Sequence, residues 1–233
     1  MTTVCYCIPT FNRADKCVEA IHAVMRSSRK PDQLIIIDDS GTQAALPIIM
    51  PVLSAYYDDG FTNLAVLLHD RQCGVSASWN QFLVAADTDY VLIANDDVCP
   101  HERTIELMVK YAEKSPKDIF FCGDGDSGNA FSFFMVPRQK YIDTIGGFDE
   151  NFFPAYFEDN DADERIRRAG YKLVFVPKAT YDHTASSTLN AYTPAQMQQH
   201  HRNFERNREY FKTKWGGLPG ATVYTHAFNK VPD

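Results

Sequence analysis

The sequence lacks several patterns that mark common classes of protein. Its six cysteines include no Cys-x-x-Cys pair, which excludes a zinc ribbon and a thioredoxin-like motif. No run approaches the ~20 apolar residues of a membrane helix, and the N-terminus lacks the long apolar region of a signal peptide. We therefore expect a soluble, cytoplasmic protein with reduced, buried thiols, including Cys5 and Cys7 on one face of a strand.

The composition is that of an ordinary globular chain. Hydrophobic residues make up 45% and charged residues 23% of the 233 residues, which excludes collagen-like and disordered classes. The net charge of −7 excludes a protein that coats nucleic-acid phosphates over its whole surface. Acidic clusters in such a chain favour a bound cation, and the aromatic content of 13% favours a lined cleft.

Short apolar runs alternate with helical patterns in residues 1–98. This alternation is typical of βαβ units around a mainly parallel, Rossmann-like sheet. Four strands are predicted at residues 4–8, 34–37, 64–68 and 90–94, with helices after the first and third. The fold class is therefore α/β.

The second half, residues 99–192, reads as mixed α+β. Helices are predicted at 105–112 and near 161–169, strands at 119–122, 131–136 and 173–176, and a polar segment at 177–194. A final helix spans 194–214 and a loose tail covers 216–233. We predict one domain over residues 1–215, with the C-terminal helix in residues 193–215.

Polar residues follow three of the four predicted strands. The first strand runs into residues 9–13, the second into Asp38 and Asp39, and the fourth into residues 95–97. In an open α/β sheet, ligands bind beyond the carboxyl ends of the strands. Turns or helix caps explain any one of these sites, but their convergence on one edge favours a binding site.

Asp96 and Asp97 form the sharpest of these features. Paired carboxylates at a strand end make a hard-oxygen site for Mg²⁺ or Mn²⁺ bridging a diphosphate. Arg13 is placed to meet the same diphosphate, and Asp39 to accept hydrogen bonds from a nucleobase imide or a ribose. A competing Asp-x-Asp at residues 124–126 is flanked by glycines and predicts a mobile hairpin loop, where acceptor contact stays open.

Residues 147–161 interleave carboxylates with aromatic residues ahead of a helix. A carboxylate against aromatic rings can have a raised pKa and act as a general base near neutrality. An acidic helix start explains Asp161 or Asp163 but not the aromatic run. His183 alone reads as a surface or core histidine, and beside a metal site it becomes a candidate ligand.

These segments together resemble a known family. They are Ile-Pro-Thr-Phe-Asn-Arg at residues 8–13, Ile-Asp-Asp-Ser-Gly-Thr at 37–42, Ile-Ala-Asn-Asp-Asp at 93–97, Gly-Gly-Phe-Asp-Glu at 146–150, Tyr-Phe-Glu-Asp-Asn-Asp at 156–161 and Ala-Gly-Tyr at 169–171, followed by His183. In order and spacing, over residues 4–188, the chain resembles a GT-A glycosyltransferase of the family 2 type. The resemblance is strongest to the rhamnosyltransferase-like branch.

The resemblance implies an inverting enzyme that uses a UDP- or TDP-linked sugar and Mn²⁺ or Mg²⁺. It implies a nucleotide-sugar-binding half at 1–98 and an acceptor-side half at 99–192. Asp159 matches the catalytic base, with Glu158 beside it as a residue that positions the acceptor, and the metal falls to Asp97 and His183. The residues expected to contact the donor are Pro9, Thr10, Arg13, Asp38, Asp39, Asn80, Asn95 and Asp96.

The chain departs from the family pattern at two positions. Asn95 replaces the first acid of the metal motif, which shifts more of the metal onto Asp97 and leaves the role of Asp96 open. Trp79 and Asn80 stand where many relatives carry an Arg-Asn pair, so one expected diphosphate contact is missing.

Two other functions and several acceptors stay open at this point. A sugar-phosphate nucleotidyltransferase would need a glycine-rich phosphate loop after the first strand, and residues 9–13 contain no glycine. A non-catalytic nucleotide-sugar-binding protein is the second alternative. The acceptor is a glycan, a lipid-linked glycan or a modified DNA base. The basic last helix, with Arg202 and Lys214 among its cations, is either a contact for anionic lipid or nucleic acid or a solvated face.

Overall fold

The protein is described by a computed structural model that covers residues 1–123, 130–183 and 193–230. The strands are β1 (Val4–Thr10), β2 (Gln33–Asp38), β3 (Leu64–Leu68), β4 (Tyr90–Ala94), β5 (Val98–Pro100), β6 (Ile119–Gly123), β7 (Phe133–Pro137) and β8 (Leu173–His183). The helices are α1 (Ala14–Met25), α2 (Leu46–Asp58), α3 (Val75–Ala85), α4 (Thr104–Lys114), α5 (Arg138–Ile145), α6 (Glu158–Arg168) and α7 (Pro194–Trp215).

The strands form one eight-stranded sheet in the order β3-β2-β1-β4-β7-β6-β8-β5. The first four strands are parallel, as predicted, whereas β7 runs antiparallel to both β4 and β6. In the sheet, β2 lies on one side of β1 and β4 lies on the other. The strand order therefore reverses direction between β1 and β4. Such a switch point opens a crevice beyond the carboxyl ends of the strands.

Both faces of the sheet are buried. The run of apolar residues in β1 explains this, because alternate side chains enter two separate cores on opposite faces. Cys5 and Cys7 lie in the same core, fully buried, with their Sγ atoms 3.4 Å apart. Their predicted role in core packing is confirmed.

Strand β8 is longer than the predicted strand at 173–176. It continues to His183 because β5 pairs antiparallel with its last residues while β6 pairs with its earlier ones. Ala179 and Tyr181 are buried while Lys178 and Asp182 are exposed, which is the period of two expected of a strand. The strand therefore continues seven residues beyond its predicted end, into the segment predicted to be polar, and residues 184–192 lie outside the described part of the chain.

The chain after α7 folds back on that helix. The backbone N–H groups of Val223 and Tyr224 both donate to the carbonyl of Trp215, at 3.0 Å each. The Phe228 ring lies 5.9 Å from the Tyr210 ring, centroid to centroid. In the described ranges no helix is long and apolar enough to cross a membrane.

Candidate functional site

A cleft of about 450 Å³ opens at the switch point of the sheet. One wall comes from the ends of β1, β2 and β4, and the other from α7 and residues 154–156. Seven residues predicted to bind the donor or metal line it: Pro9, Thr10, Arg13, Asp39, Asn95, Asp96 and Asp97. The convergence predicted from three separate strand ends is present.

Asp96 is hydrogen-bonded to the last residue of β1. Its Oδ2 accepts a hydrogen bond from the Thr10 hydroxyl at 2.8 Å. Burial raises the pKa of Asp96 to about 7, with the neighbouring Asp97 adding to the rise and the Thr10 hydroxyl and the Arg13 charge opposing it. Asp96 therefore lines the cleft and links the ends of β1 and β4.

Asp97 lies beside His183, with 3.2 Å between its Oδ1 and the histidine Nε2. The pairing of β5 with β8 produces this contact, because Val98 is in register with His183. Asp97 supplies a carboxylate oxygen of the kind that Mn²⁺ and Mg²⁺ prefer, and His183 places an imidazole nitrogen beside it. The sequence alone suggested both residues, and their proximity comes from a strand pairing that it did not predict.

Asp39 is held by three donors around its carboxylate. Its Oδ1 lies 2.6 Å from His69 Nδ1 and accepts from the Cys73 backbone N–H at 2.6 Å, and its Oδ2 accepts from the Gly74 N–H at 2.9 Å. His69 Nε2 in turn lies 2.6 Å from Gln81 Oε1. Sequence reasoning missed His69 and Gln81, although a histidine directly after an apolar strand was a usable signal.

The cluster of Asp39, His69 and Cys73 brings three potential metal ligands within 4.8 Å of one another. Both nitrogens of His69 already face hydrogen-bond partners, and the Cys73 thiol points to the Arg71 carbonyl at 3.4 Å. The cluster therefore serves to orient the Asp39 carboxylate rather than to bind a metal. Asp38, by contrast, is 1% exposed and accepts from the Ser40 N–H at 2.9 Å, so it shapes the turn after β2.

Asn80 is hydrogen-bonded to the loop that follows α5. Its amide donates to the Phe148 carbonyl at 2.9 Å, and its Oδ1 accepts from the Phe148 N–H at 2.6 Å. A Cβ on Gly147, whose φ is +91°, would lie 2.7 Å from the same Oδ1, so the glycine permits this close approach. Gly147 therefore lets the loop pack closely against Asn80 of α3.

Glu158 and Asp159 begin α6. Asp159 Oδ1 accepts from the Asn160 N–H at 2.7 Å, and burial raises its pKa. Burial also raises the pKa of Glu158 to about 8, and the charge of Asp159 adds to this rise. Glu158 is 7% exposed, and its Oε2 has no hydrogen-bond partner among the described residues. With a pKa of about 8, Glu158 therefore holds a proton at neutral pH.

The segment before α6 forms part of the cleft wall. Tyr156 and Phe157 both have left-handed backbones, with φ of +79° and +71°. Phe157 packs against rings of α7 inside the protein, whereas Tyr156 is 38% exposed and lines the cleft. Asp159 follows one turn later and is not on the cleft surface in this arrangement, so its approach to an acceptor stays a prediction.

Buried ion pairs fasten α7 to the rest of the site. Lys214 Nζ lies 2.6 Å from both Asp149 Oδ2 and Asp161 Oδ1, and the Trp215 indole donates to the same Asp161 oxygen at 2.9 Å. Burial opposes ionisation of Asp149, yet the Lys214 hydrogen bond and charge bring its pKa down to about 2.

The cations of the last helix, α7, do not form the continuous basic face that the sequence suggested. Lys214, Phe211 and Trp215 are buried, and Arg208 and Lys212 pair with glutamates of the same helix. Among the described residues, these aromatic side chains and cations therefore do not form a single surface for lipid or nucleic acid. Asp124 and Asp126, the competing acidic pair, lie outside the described residues.

Comparison with known proteins decides the family. The sequence profile of "Glycosyl transferase family 2" matches residues 5–172, which include the strand ends of the cleft and the start of α6. The chain belongs to glycosyl transferase family 2. This membership confirms the resemblance drawn from the sequence motifs.

Named relatives of this family 2 chain include two rhamnosyltransferases. The O-antigen chain rhamnosyltransferase WbaN of Salmonella anatum is 23% identical over 91% of this chain and 75% of the relative. The N-acetylglucosaminyl-diphospho-decaprenol L-rhamnosyltransferase of Mycobacterium tuberculosis is 30% identical over 69 residues, which are 30% of this chain and 22% of that protein. The chain thus matches about a fifth of the mycobacterial relative.

Solved structures confirm the GT-A fold of the family 2 chain. The mannosyltransferase PcManGT from Pyrobaculum calidifontis, in complex with GDP-Man and Mn²⁺, superposes with a TM-score of 0.66 at 14% identity over 88% of this chain and 64% of that one. TarS 1-349 of S. aureus, in complex with UDP, gives 0.61 at 13% identity over 77% of this chain and 59% of that one.

Proposed function

We propose that this chain is an inverting, metal-dependent glycosyltransferase that moves a sugar from a nucleoside-diphosphate sugar to a hydroxyl acceptor. The observation that carries the proposal is the cleft that holds Arg13 and Asp39, with the pair of Asp97 and His183 at its edge. Asp39 suits a nucleoside and Arg13 suits a diphosphate. Asp97 and His183 suit a cation. Family membership and the relatives' named activities support the same reaction class.

Asp39 is the proposed contact for the nucleobase. A carboxylate has about four lone-pair sites, and Asp39 uses three for His69, Cys73 and Gly74. One site on Oδ2 is left to accept the imide N–H that uracil and thymine share. UDP- and TDP-sugars are therefore the first candidates for the donor, although the mannosyltransferase neighbour holds GDP-Man.

Asp97 and His183 are the proposed holders of Mn²⁺ or Mg²⁺, with Asn95 and Asp96 nearby on the cleft wall. A bound cation would neutralise charge on the departing diphosphate. Arg13 lines the same wall and adds a positive charge toward the same group. These residues thus orient the donor with its leaving group at the strand ends.

Asp159 is the proposed general base. Inverting transfer needs a base to take the proton of the acceptor hydroxyl while its oxygen attacks the anomeric carbon and the bond to the diphosphate breaks. Burial raises the pKa of the neighbouring Glu158 to about 8, and the charge of Asp159 adds to that rise, so Glu158 is poorly suited to accept the proton. The raised pKa of Asp159 strengthens it as a base.

A donor-hydrolysis screen tests the proposal, because slow hydrolysis needs no acceptor. We expect Mn²⁺-dependent hydrolysis of at least one nucleotide sugar from a panel of UDP-, TDP- and GDP-sugars. Asp97→Ala should abolish metal-dependent nucleotide binding in calorimetry, since a single side chain supplies the carboxylate ligand. Asp182→Ala is the matched control, since its side chain is 84% exposed one residue from His183.

Other outcomes separate the alternatives. Condensation of a nucleoside triphosphate with a sugar phosphate would identify a nucleotidyltransferase. Binding of a nucleotide sugar with neither hydrolysis nor transfer to any acceptor would identify a non-catalytic binding protein. Unchanged nucleotide affinity in Asp97→Ala would refute the metal assignment.

A further inference from the structure

The two walls of the cleft differ in chemistry. The strand wall carries carboxylates and Arg13, whereas the opposite wall presents the side chains of Tyr156, Gln196, Gln199, His200 and Asn203. We propose that this second wall is an acceptor subsite that binds an uncharged sugar residue. The proposal rests on the proposed function and names the acceptor class of the same site.

The residue types of the second wall carry no fixed charge. Three are amides and one is a phenol. Burial and the neighbouring His201 lower the pKa of His200, which favours the neutral imidazole. A diphosphate or a nucleic-acid backbone would need cations here, whereas an uncharged sugar needs paired donors and acceptors.

Amide side chains suit the hydroxyl groups of a sugar. Each amide supplies both N–H donors and a carbonyl acceptor, as a hydroxyl group does. Gln199 donates to Asn203 Oδ1 at 3.0 Å, which fixes the relative direction of two neighbouring amides on one helix face. Their spacing of four residues places both on the cleft side of α7.

Tyr156 is held in an unfavourable backbone conformation to reach the cleft. Its φ of +79° is rare for an aromatic residue, and such strain persists only where the surroundings enforce it. The buried Asn207 enforces it, because its amide donates to the carbonyls of Ala155 at 2.8 Å and Tyr156 at 3.2 Å. Arg206 also donates to the Phe153 carbonyl.

The ring of Tyr156 therefore lies in the cleft wall, where a sugar can stack on it. It meets the His200 ring edge-on, at 5.0 Å between centroids and 81° between planes. The negative face of an aromatic ring attracts the weakly positive C–H groups on a sugar face. An aromatic platform beside paired amides is the chemistry that recognises a neutral pyranose or furanose.

Saturation-transfer NMR tests the subsite directly with defined probes. The full chain with UDP and Mg²⁺ is mixed with the methyl glycosides of rhamnose, mannose, galactose and N-acetylglucosamine, with methyl glucuronide, or with a short single-stranded oligonucleotide. We expect saturation of aromatic protons to reach at least one uncharged glycoside, independent of salt concentration. The double variant Gln199→Ala/Asn203→Ala should weaken that signal roughly tenfold, because both amides are lost.

Matched variants separate the subsite from the fold. Gln198→Ala, an exposed glutamine of the same helix that does not line the cleft, should keep the signal. Tyr156→Phe should keep most of it because the ring remains, and Tyr156→Ala should lose it. Thermal unfolding of each variant reports the fold separately.

Three results would overturn the subsite. One is no signal from any uncharged glycoside while the donor is hydrolysed. Another is a stronger signal from the glucuronide or the oligonucleotide. The third is equal loss of donor hydrolysis in the double variant, which would make this wall the donor-sugar site. A chain that hydrolyses no donor at all contradicts the proposed function instead, so the two failures are distinguishable.

Discussion

At the scale of single residues, the pair Glu158 and Asp159 shows how burial divides two adjacent carboxyl groups. The side chain of Glu158 is more deeply buried, and burial with the charge of Asp159 raises its pKa to about 8; burial raises the pKa of Asp159 as well. Aromatic neighbours were expected to cause the rise at Asp159, and burial is its main physical cause. The two groups therefore suit different roles at one pH.

Asp159→Asn should lower the transfer rate by roughly 10²- to 10⁴-fold while donor affinity barely changes. The amide keeps the shape of the carboxylate but cannot accept the proton of the acceptor hydroxyl. The measurement is kcat for transfer, with nucleotide affinity from calorimetry.

Asp163→Asn is the control for this substitution. Asp163 lies one turn further along α6, where its carboxylate pairs with Arg167 at 2.8 Å. It should transfer at nearly the wild-type rate. A normal rate for Asp159→Asn, or a loss confined to donor binding, would mean that the base lies elsewhere in the site.

At the scale of elements, α7 matters more than its sequence suggested. Its first half lines the cleft, its middle holds residues 153–156, and its end fastens to α6 and the loop after α5. The Thr193 side chain caps the helix by accepting from the Gln196 N–H, so the cleft-lining turn begins at a fixed point. The helix therefore acts as a structural part of the site.

Lys214→Met should lower the free energy of unfolding by about 3–5 kcal/mol. The substitution leaves Asp149 and the fully buried Asp161 without their shared cation. Urea unfolding followed by circular dichroism measures the change. Lys212→Met is the control: its cation pairs with Glu209 at 3.9 Å on the exposed face, so the change should stay within about 0.5 kcal/mol.

A loss of less than about 1 kcal/mol in Lys214→Met would contradict the ion-pair account. It would mean that Arg165, which donates to Asp161 at 2.8 Å, and Tyr210, which donates to Asp149 at 3.0 Å, suffice to satisfy the two carboxylates.

At the scale of the whole molecule, buried carboxyl groups make stability depend on pH. The pKa of Glu158 in the folded protein is about 8, above the value of about 4.3 for an exposed glutamate. Between these values the folded state holds a proton that the unfolded state has released. The free energy of unfolding should therefore fall as the pH rises from about 5 to 8.

Glu158→Gln should flatten this dependence, because glutamine stays neutral throughout. We expect the melting temperature of the wild type to fall between pH 5 and 8 in metal-free buffer, and that of the variant to fall less. Glu113→Gln, at an exposed position of α4, should keep the wild-type slope. Equal slopes for Glu158→Gln and the wild type would show that Glu158 titrates near its usual pKa.

Local patterns in the sequence were enough to predict the first four strands, the family and the convergence of polar residues at one sheet edge. This succeeded because parallel strands carry continuous apolar runs, and their ends meet at one edge whatever the rest of the chain does. The second half was harder. Strand β8 and its partner β5 are short or interrupted, and their pairing depends on residues that are distant along the chain.

By itself, the sequence determined which residue types stand at each strand end, and hence that a carboxylate, an arginine and a histidine are available to the site. Only the tertiary structure decided which of them meet. His183 reaches Asp97 through strand pairing, His69 and Gln81 orient Asp39, and α7 closes the cleft. These contacts join positions far apart in the chain, and they form because packing buries both partners together, which no local periodicity encodes.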